Sequence, residues 1–161
     1  MATLRHFRDL RAWQQCRAVR QAIKVLVKNW PQEERFRLTD QIIRSSRKTT
    51  ANIAEGYGRF REKDNVRFCR IAKGSLYETQ DHLITACDDG IITEEVMATH
   101  IELVEGAIRT LNAYINYLNS LTEGRDTMVA DAQAAYGVED PMVFLPLDGD
   151  GADPLEAGAR P

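Results

Sequence analysis

The chain has 161 residues, 21 Lys and Arg against 24 Asp and Glu, and a net charge of −3, the profile of one mildly acidic domain long enough to bury a core without staples. No run approaches the ~18 apolar residues of a membrane span, and residues 1–11 lack the apolar stretch of a signal peptide, so the expectation is a cytoplasmic protein with no membrane partner. Cys16, Cys69 and Cys87, three thiols at spacings of 53 and 18, exclude a disulfide framework and a CxxC pair and read as buried small hydrophobes.

The net charge hides a split. Residues 1–73 hold 18 basic groups and 7 acidic ones, +11, whereas residues 74–161 hold 3 and 17, −14. Such asymmetry points to a polyanion-binding face or an acidic tail.

Apolar residues recurring at three and four predict helix throughout the first 123 residues. Helix 1 is expected from an Asp9 N-cap, with Leu10, Trp13, Cys16, Val19, Ile23, Leu26, Val27 and Trp30 on its apolar stripe, until Pro31 stops it. Helix 2 is expected to follow at once, because Pro31, Glu33 and Glu34 suit a helix N-terminus. Its stripe of Leu38, Ile42, Ser45, Thr49 and Ile53 reaches a break at Gly56-Tyr57-Gly58. Helix 3 is expected over about Glu62 to Asp88, with Phe68, Ile71, Ser75, Leu76, Thr79, Leu83 and Ala86 inward and Gly90 as its stop. Helix 4 starts at a Thr93 N-cap and carries Val104, Ala107, Ile108, Leu111, Ile115 and Leu118. Short connections between long helices predict an all-α fold, an antiparallel up-down-up-down four-helix bundle. Small residues (Ser45, Ser46, Thr49, Thr50, Ala51 and Ala54 on helix 2; Ala72, Gly74 and Ser75 on helix 3) predict close helix approach.

Residues 124–161 hold five Gly, four Pro and eight acidic groups against Arg125 and Arg160. That composition predicts a largely disordered acidic tail, leaving 1–123 as the bundle. An apolar island at 141–147, with Met142, Val143, Phe144, Leu145 and Leu147, reads either as lying on its own domain or as a docking motif for a partner protein.

Catalytic and metal signatures are missing. A di-iron bundle needs Glu-x-x-His on two helices, whereas Glu78 precedes His82 by four residues and Met97 stands three before His100. No HExxH is present for zinc. Gly56-Tyr57-Gly58 follows a helix and lacks the third glycine of a dinucleotide loop, and the run from Asp148 to Ala159 lacks the Gly and Glu of a calcium loop. No nucleophile motif is recognisable, so no catalytic residue, metal or cofactor is assigned, and an enzyme is not expected.

The basic residues fall at helical spacing: Arg17, Arg20, Lys24 and Lys28 on helix 1; Arg44, Arg47 and Lys48 on helix 2; Lys63, Arg67 and Arg70 on helix 3, with Arg59 and Arg61 in the turn between. Solvated faces are the plain reading of such stripes. The +11 imbalance, however, exceeds what pairing within residues 1–73 can cancel. Nucleic-acid-binding candidates are therefore Arg44, Arg47, Lys48, Arg59, Arg61, Lys63, Arg67 and Arg70.

Phe7-Arg-Asp-Leu10 with Trp13-Gln14, Pro31-Gln-Glu-Glu-Arg-Phe36, Leu38-Thr-Asp-Gln41, Asn52-Ile-Ala-Glu-Gly-Tyr-Gly-Arg59 and Gly74-Ser-Leu-Tyr-Glu78 resemble, in that order, the bacterial four-helix bundle proteins first noticed as products of intervening sequences in 23S rRNA genes. The resemblance covers about residues 5–120. Thr49, Thr50 and Ala51 stand where the family often has a Pro, which predicts a straighter helix 2. The resemblance implies a homopentamer and kinship to the accessory protein of diversity-generating retroelements, a basic pentamer that binds a reverse transcriptase and nucleic acid. It implies no catalytic residue. Asn52, Glu55 and Gly56 are expected to fix the end of helix 2.

Together these readings favour a non-enzymatic homo-oligomeric adaptor that offers a basic surface to RNA, DNA or a nucleic-acid-processing enzyme. The alternative is an interaction module whose segment from Met142 to Leu147 binds a protein encoded by a neighbouring gene.

Overall fold

A computed structural model describes residues 6–59 and 61–136, with side chains as far as residue 124. Four α-helices, α1 (Arg11–Leu26), α2 (Leu38–Tyr57), α3 (Glu62–Asp88) and α4 (Glu94–Tyr136), are joined by short connections, with one 3-10 turn before α1 and two between α1 and α2, and no strand occurs among the described residues. The chain divides into two units, Met1–Thr122 and Glu123–Pro161. Helix α4 begins in the first, and its backbone continues past residue 123 to Tyr136.

The starts of the first two helices differ from the sequence expectation. Asp9 does not cap α1. It ends a 3-10 turn, Phe7–Asp9, in which its carboxylate accepts the His6 backbone N–H at 3.0 Å while His6 Nδ1 accepts from Arg8 N at 3.2 Å. Pro31 does not open α2 either. It precedes a second short turn, Gln32–Glu34, and α2 begins at Leu38, where Glu34 Oε2 accepts the backbone N–H at 3.4 Å. Glu34 thus serves a helix start that lies four residues further on, where the helix dipole favours its charge. Trp30, directly before the proline, is extended (ψ 151°), as an X-Pro residue should be.

Later boundaries follow the sequence. Helix α3 ends where Gly90 takes a left-handed φ of 69°, and Ile91 N donates back to Ala86 O at 2.8 Å. Thr93 Oγ1 accepts from Val96 N at 3.4 Å and starts α4. Helix α2 runs without interruption from Leu38 to Tyr57.

One apolar core joins the helices: Cys16, Val19 and Ile23 from α1, Ile42 and Ile53 from α2, Cys69, Leu76 and Leu83 from α3, and Val104, Leu111 and Leu118 from α4. Contacts between α2 and α3 fix their sense. Ser45 meets Thr79 and Lys48 meets Glu78, while Gly56 lies against Asn65 and Phe68, so numbers rise along one helix as they fall along the other. At Gly56 α3 packs too close for a side chain, since a Cβ there would stand 2.8 Å from Asn65 Oδ1 and 2.9 Å from Phe68 Cβ.

Gly74 does not play that role. A Cβ at this position would meet nothing within 4 Å, so the glycine faces open space and not a neighbouring helix. Ile71, expected inward, is 43% exposed because it lies at the edge of the α3 stripe, one position from buried Ala72. The small buried residues that do bring helices together are Ser45, Ser46, Thr49 and Thr50 on α2 and Ala72, Ser75 and Thr79 on α3.

Candidate basic interface

Each hydroxyl in the middle of α2 is satisfied first by its own helix. Ser45, Ser46, Thr49 and Thr50 all donate to the carbonyl three residues earlier, at 3.1, 3.0, 2.7 and 3.2 Å. With its inner face settled by small side chains, α2 turns its long ones outward: Arg44, Arg47 and Lys48 are exposed.

Several predicted cations have carboxylate partners. Arg44 pairs with Asp40 at 3.3 Å, Lys48 reaches Glu78 on α3 at 3.9 Å, and Arg59 pairs with Glu55 at 2.6 Å while its guanidinium lies 5.0 Å from the Phe68 ring centroid. Solvent-exposed pairs of this kind contribute about 0–1 kcal/mol, so they hold these cations loosely. Asn52 donates to Lys48 O at 2.8 Å, and Glu55, through Arg59, braces the last turn of α2.

Arg47, Arg61, Arg67 and Arg70 are exposed and have no ion pair among the described residues. Arg61 directly precedes α3, and Lys63, Arg67 and Arg70 follow at helical spacing on its outer side. The cations therefore fall in several places. Arg59, Arg61 and Lys63 lie where α2 gives way to α3, Arg67 and Arg70 continue along α3, and Arg44 and Lys48 stand on α2 beside their carboxylate partners. Arg47 instead faces α1, across a groove it shares with Arg20, Lys24 and Lys28.

That groove encloses about 820 Å³ between α1 and α2. Its wall includes Val25, Ile43, Ala51 and Ala54, and Arg20 Nη1 bridges it by donating to Thr50 Oγ1 at 3.0 Å. Among the described residues, no carboxylate lines it. The sequence places Arg20, Lys24 and Lys28 on one stripe of helix 1 without marking them as a site; the signal that bears on them is that their stripe and that of Arg47 fall on neighbouring helices. Trp13 and Phe7 close one end, their rings edge-on with centroids 5.3 Å apart. The proposed partner segment of Met142, Val143, Phe144, Leu145 and Leu147 lies outside the described residues.

The thiols are poorly suited to nucleophilic work. Burial pushes Cys16 up to about 12, with a Thr49 hydrogen bond pulling the other way, and burial alone pushes Cys69 up to about 12. A thiol so raised stays protonated at neutral pH and reacts slowly. Tyr114 is also raised to about 12 by burial, against the lowering effect of its hydrogen bond with Asn65. Among the described residues, no three His, Cys, Asp or Glu side chains gather as metal ligands would, and no helix is long and apolar enough to cross a membrane.

Helices around a single core, with basic side chains on their outer faces, define an all-helical protein whose surface carries its distinctive chemistry. The model of the 23S rRNA-intervening sequence protein family matches residues 8–113, and the chain belongs to that family. It is also similar to a crystal structure from Bacteroides thetaiotaomicron, described as a protein with unknown function from the S23 ribosomal protein family. The two share 22% identity and a TM-score of 0.54, over 65% of this chain and 94% of the other, a likeness of fold. No curated protein matches the chain.

Proposed function

We propose that this protein is a non-enzymatic cytoplasmic adaptor, an antiparallel up-down-up-down bundle assembled as a homopentamer, that presents a basic surface to nucleic acid or to a nucleic-acid-processing enzyme. The observation that carries this reading is the outer side of α3 and the turn before it. There Arg61, Arg67 and Arg70 are exposed with no carboxylate partner among the described residues, beside Lys63 and Arg59. Residues 1–123 carry 19 basic and 16 acidic groups, +3 per copy. Five copies of residues 1–123 total about +15 while residues 124–161 bring the whole particle to about −15, so the attraction for a polyanion rests on the local basic face and falls steeply with salt, as the gain from releasing the polyanion's counterions shrinks.

The test is fluorescence anisotropy of the full-length protein with a labelled uridine-rich RNA across a salt series, beside mass photometry of the particle. The reading expects a linear fall of log affinity with log salt, a smaller slope for Arg67→Glu with Arg70→Glu, and a mass of five copies. RNA and DNA affinity absent at low salt, or unchanged by the double charge reversal, overturns the nucleic-acid part. A monomeric mass overturns the assembly.

A further inference from the structure

We propose that the groove between α1 and α2 is a docking site for an acidic amphipathic helix of a partner polypeptide. This proposal stands apart from the nucleic-acid reading, which rests on the turn before α3 and the outer side of α3; of its candidate cations the groove includes Arg47.

Three features choose the occupant. The first is shape. On α1 the groove is lined from Trp13 to Val25, about 18 Å at ~1.5 Å per residue or a little over three helical turns, and Lys28 in the turn beyond extends it. A third helix laid along a seam between two others is a recurring mode of peptide recognition.

The second is an apolar wall that water now touches. Val25, next to last in α1, is 64% exposed and leaves its aliphatic surface to water. Ile43 stands nearby, and Ala51 and Ala54, three apart on α2, leave room for a neighbouring backbone to approach. A phosphate backbone has no use for such a wall.

The third is charge. Arg20, Lys24, Lys28 and Arg47 border the apolar wall, and among the described residues the lining holds no carboxylate to answer them. Arg20 is held in place by its bond to Thr50. Glu or Asp along both margins of an apolar helical stripe would meet these cations as the stripe covers Val25 and Ile43. Charge complementarity of this kind steers encounter and excludes basic or neutral helices.

The probe is a fluorescein-labelled synthetic peptide with Leu at helical i, i+3, i+4, i+7 spacing and Glu and Ala elsewhere. It is titrated into the full-length protein by anisotropy, beside the same peptide with Lys for Glu and a uridine-rich RNA. The Glu peptide should bind and the Lys peptide should not. Val25→Asp and, separately, Arg47→Glu should each weaken the Glu peptide about tenfold or more, as anchors central to an interface do. Arg70→Glu, on α3, should leave it unchanged. Circular dichroism and particle mass accompany each variant; Val25 is exposed, so its substitution leaves the core intact.

Equal weakening by Arg70→Glu and Arg47→Glu with no effect of Val25→Asp overturns the proposal in favour of diffuse charge attraction. A change of particle mass in Val25→Asp overturns it in favour of a second copy in the groove. Competition by the RNA that Val25→Asp abolishes overturns it in favour of nucleic acid.

Discussion

Ser45 Oγ and Thr79 Oγ1 face each other at 2.9 Å across the buried seam between α2 and α3. Thr79 donates to Ser75 O at 2.8 Å, so its oxygen is left to accept, and Ser45 donates either to it or to Ile42 O at 3.1 Å. The pair is a shared contact with a fallback on each side. Ser45→Ala and Thr79→Val should each cost about 1 kcal/mol, the net worth of one buried hydrogen bond. The double variant should cost distinctly less than the sum, a coupling of about 0.5–1 kcal/mol. Urea unfolding of the four proteins checks this, and strict additivity would mean that the two hydroxyls do not interact.

Two of the helical glycines, Gly56 and Gly74, should respond in opposite directions. Gly56→Ala forces a methyl to 2.8 Å from Asn65 Oδ1 and 2.9 Å from Phe68 Cβ, so α2 and α3 must part. A cost of about 1–3 kcal/mol is expected from such overpacking. Gly74→Ala adds its methyl in open space and removes a flexible helix position, which should stabilise by about 0.5–1 kcal/mol. Thermal unfolding of both variants against the parent reads the two signs.

Thiol labelling should be sharply unequal. Cys16 and Cys69 are buried with their thiols raised, whereas Cys87 is half-buried and sits near the end of α3. With an aromatic disulfide reagent at neutral pH, one thiol should react promptly and two only at the rate of opening or unfolding. Mass spectrometry of the early product should place the label on Cys87.

Alkaline pH should loosen the core. Cys16 and Cys69 move from an ordinary 9.0 to about 12, and Tyr114 from 10.0 to about 12, because burial disfavours their charged forms. Groups raised in the folded state favour folding fully below their unfolded values, and that contribution is lost as pH climbs from about 9 towards about 12. The melting temperature should therefore fall between about pH 8 and pH 11. Cys16→Ala with Cys69→Ala should melt lower at pH 8, from the cavities left behind, yet show a shallower alkaline slope.

How much of this was legible in the sequence depended on whether a feature is local to one helix. The end of helix α3 was readable because its cue is local, a glycine at 90 whose left-handed backbone the structure displays. Proline at 31 misled, because Pro-Glu-Glu suits a 3-10 turn as well as a helix start, and which one forms depends on where Leu38 must enter the core. Gly74 misled in a similar way. Periodicity put it beside Ser75, but only packing decides which of two adjacent positions faces a neighbour. The groove was beyond the sequence because stripes describe single helices, and no spacing says that the stripe of Arg20 and Lys24 meets the stripe of Arg47 across one seam.

The backward hydrogen bonds of Ser45, Ser46, Thr49 and Thr50 also bear on how this protein can vary. Because each hydroxyl also holds a carbonyl of its own helix, the facing residues that share it, Arg20 on α1 and Thr79 on α3, can change without leaving a buried donor unpaired on α2. Polarity at those facing sites is then free to vary at the cost of one shared hydrogen bond each, within the volume the seam allows.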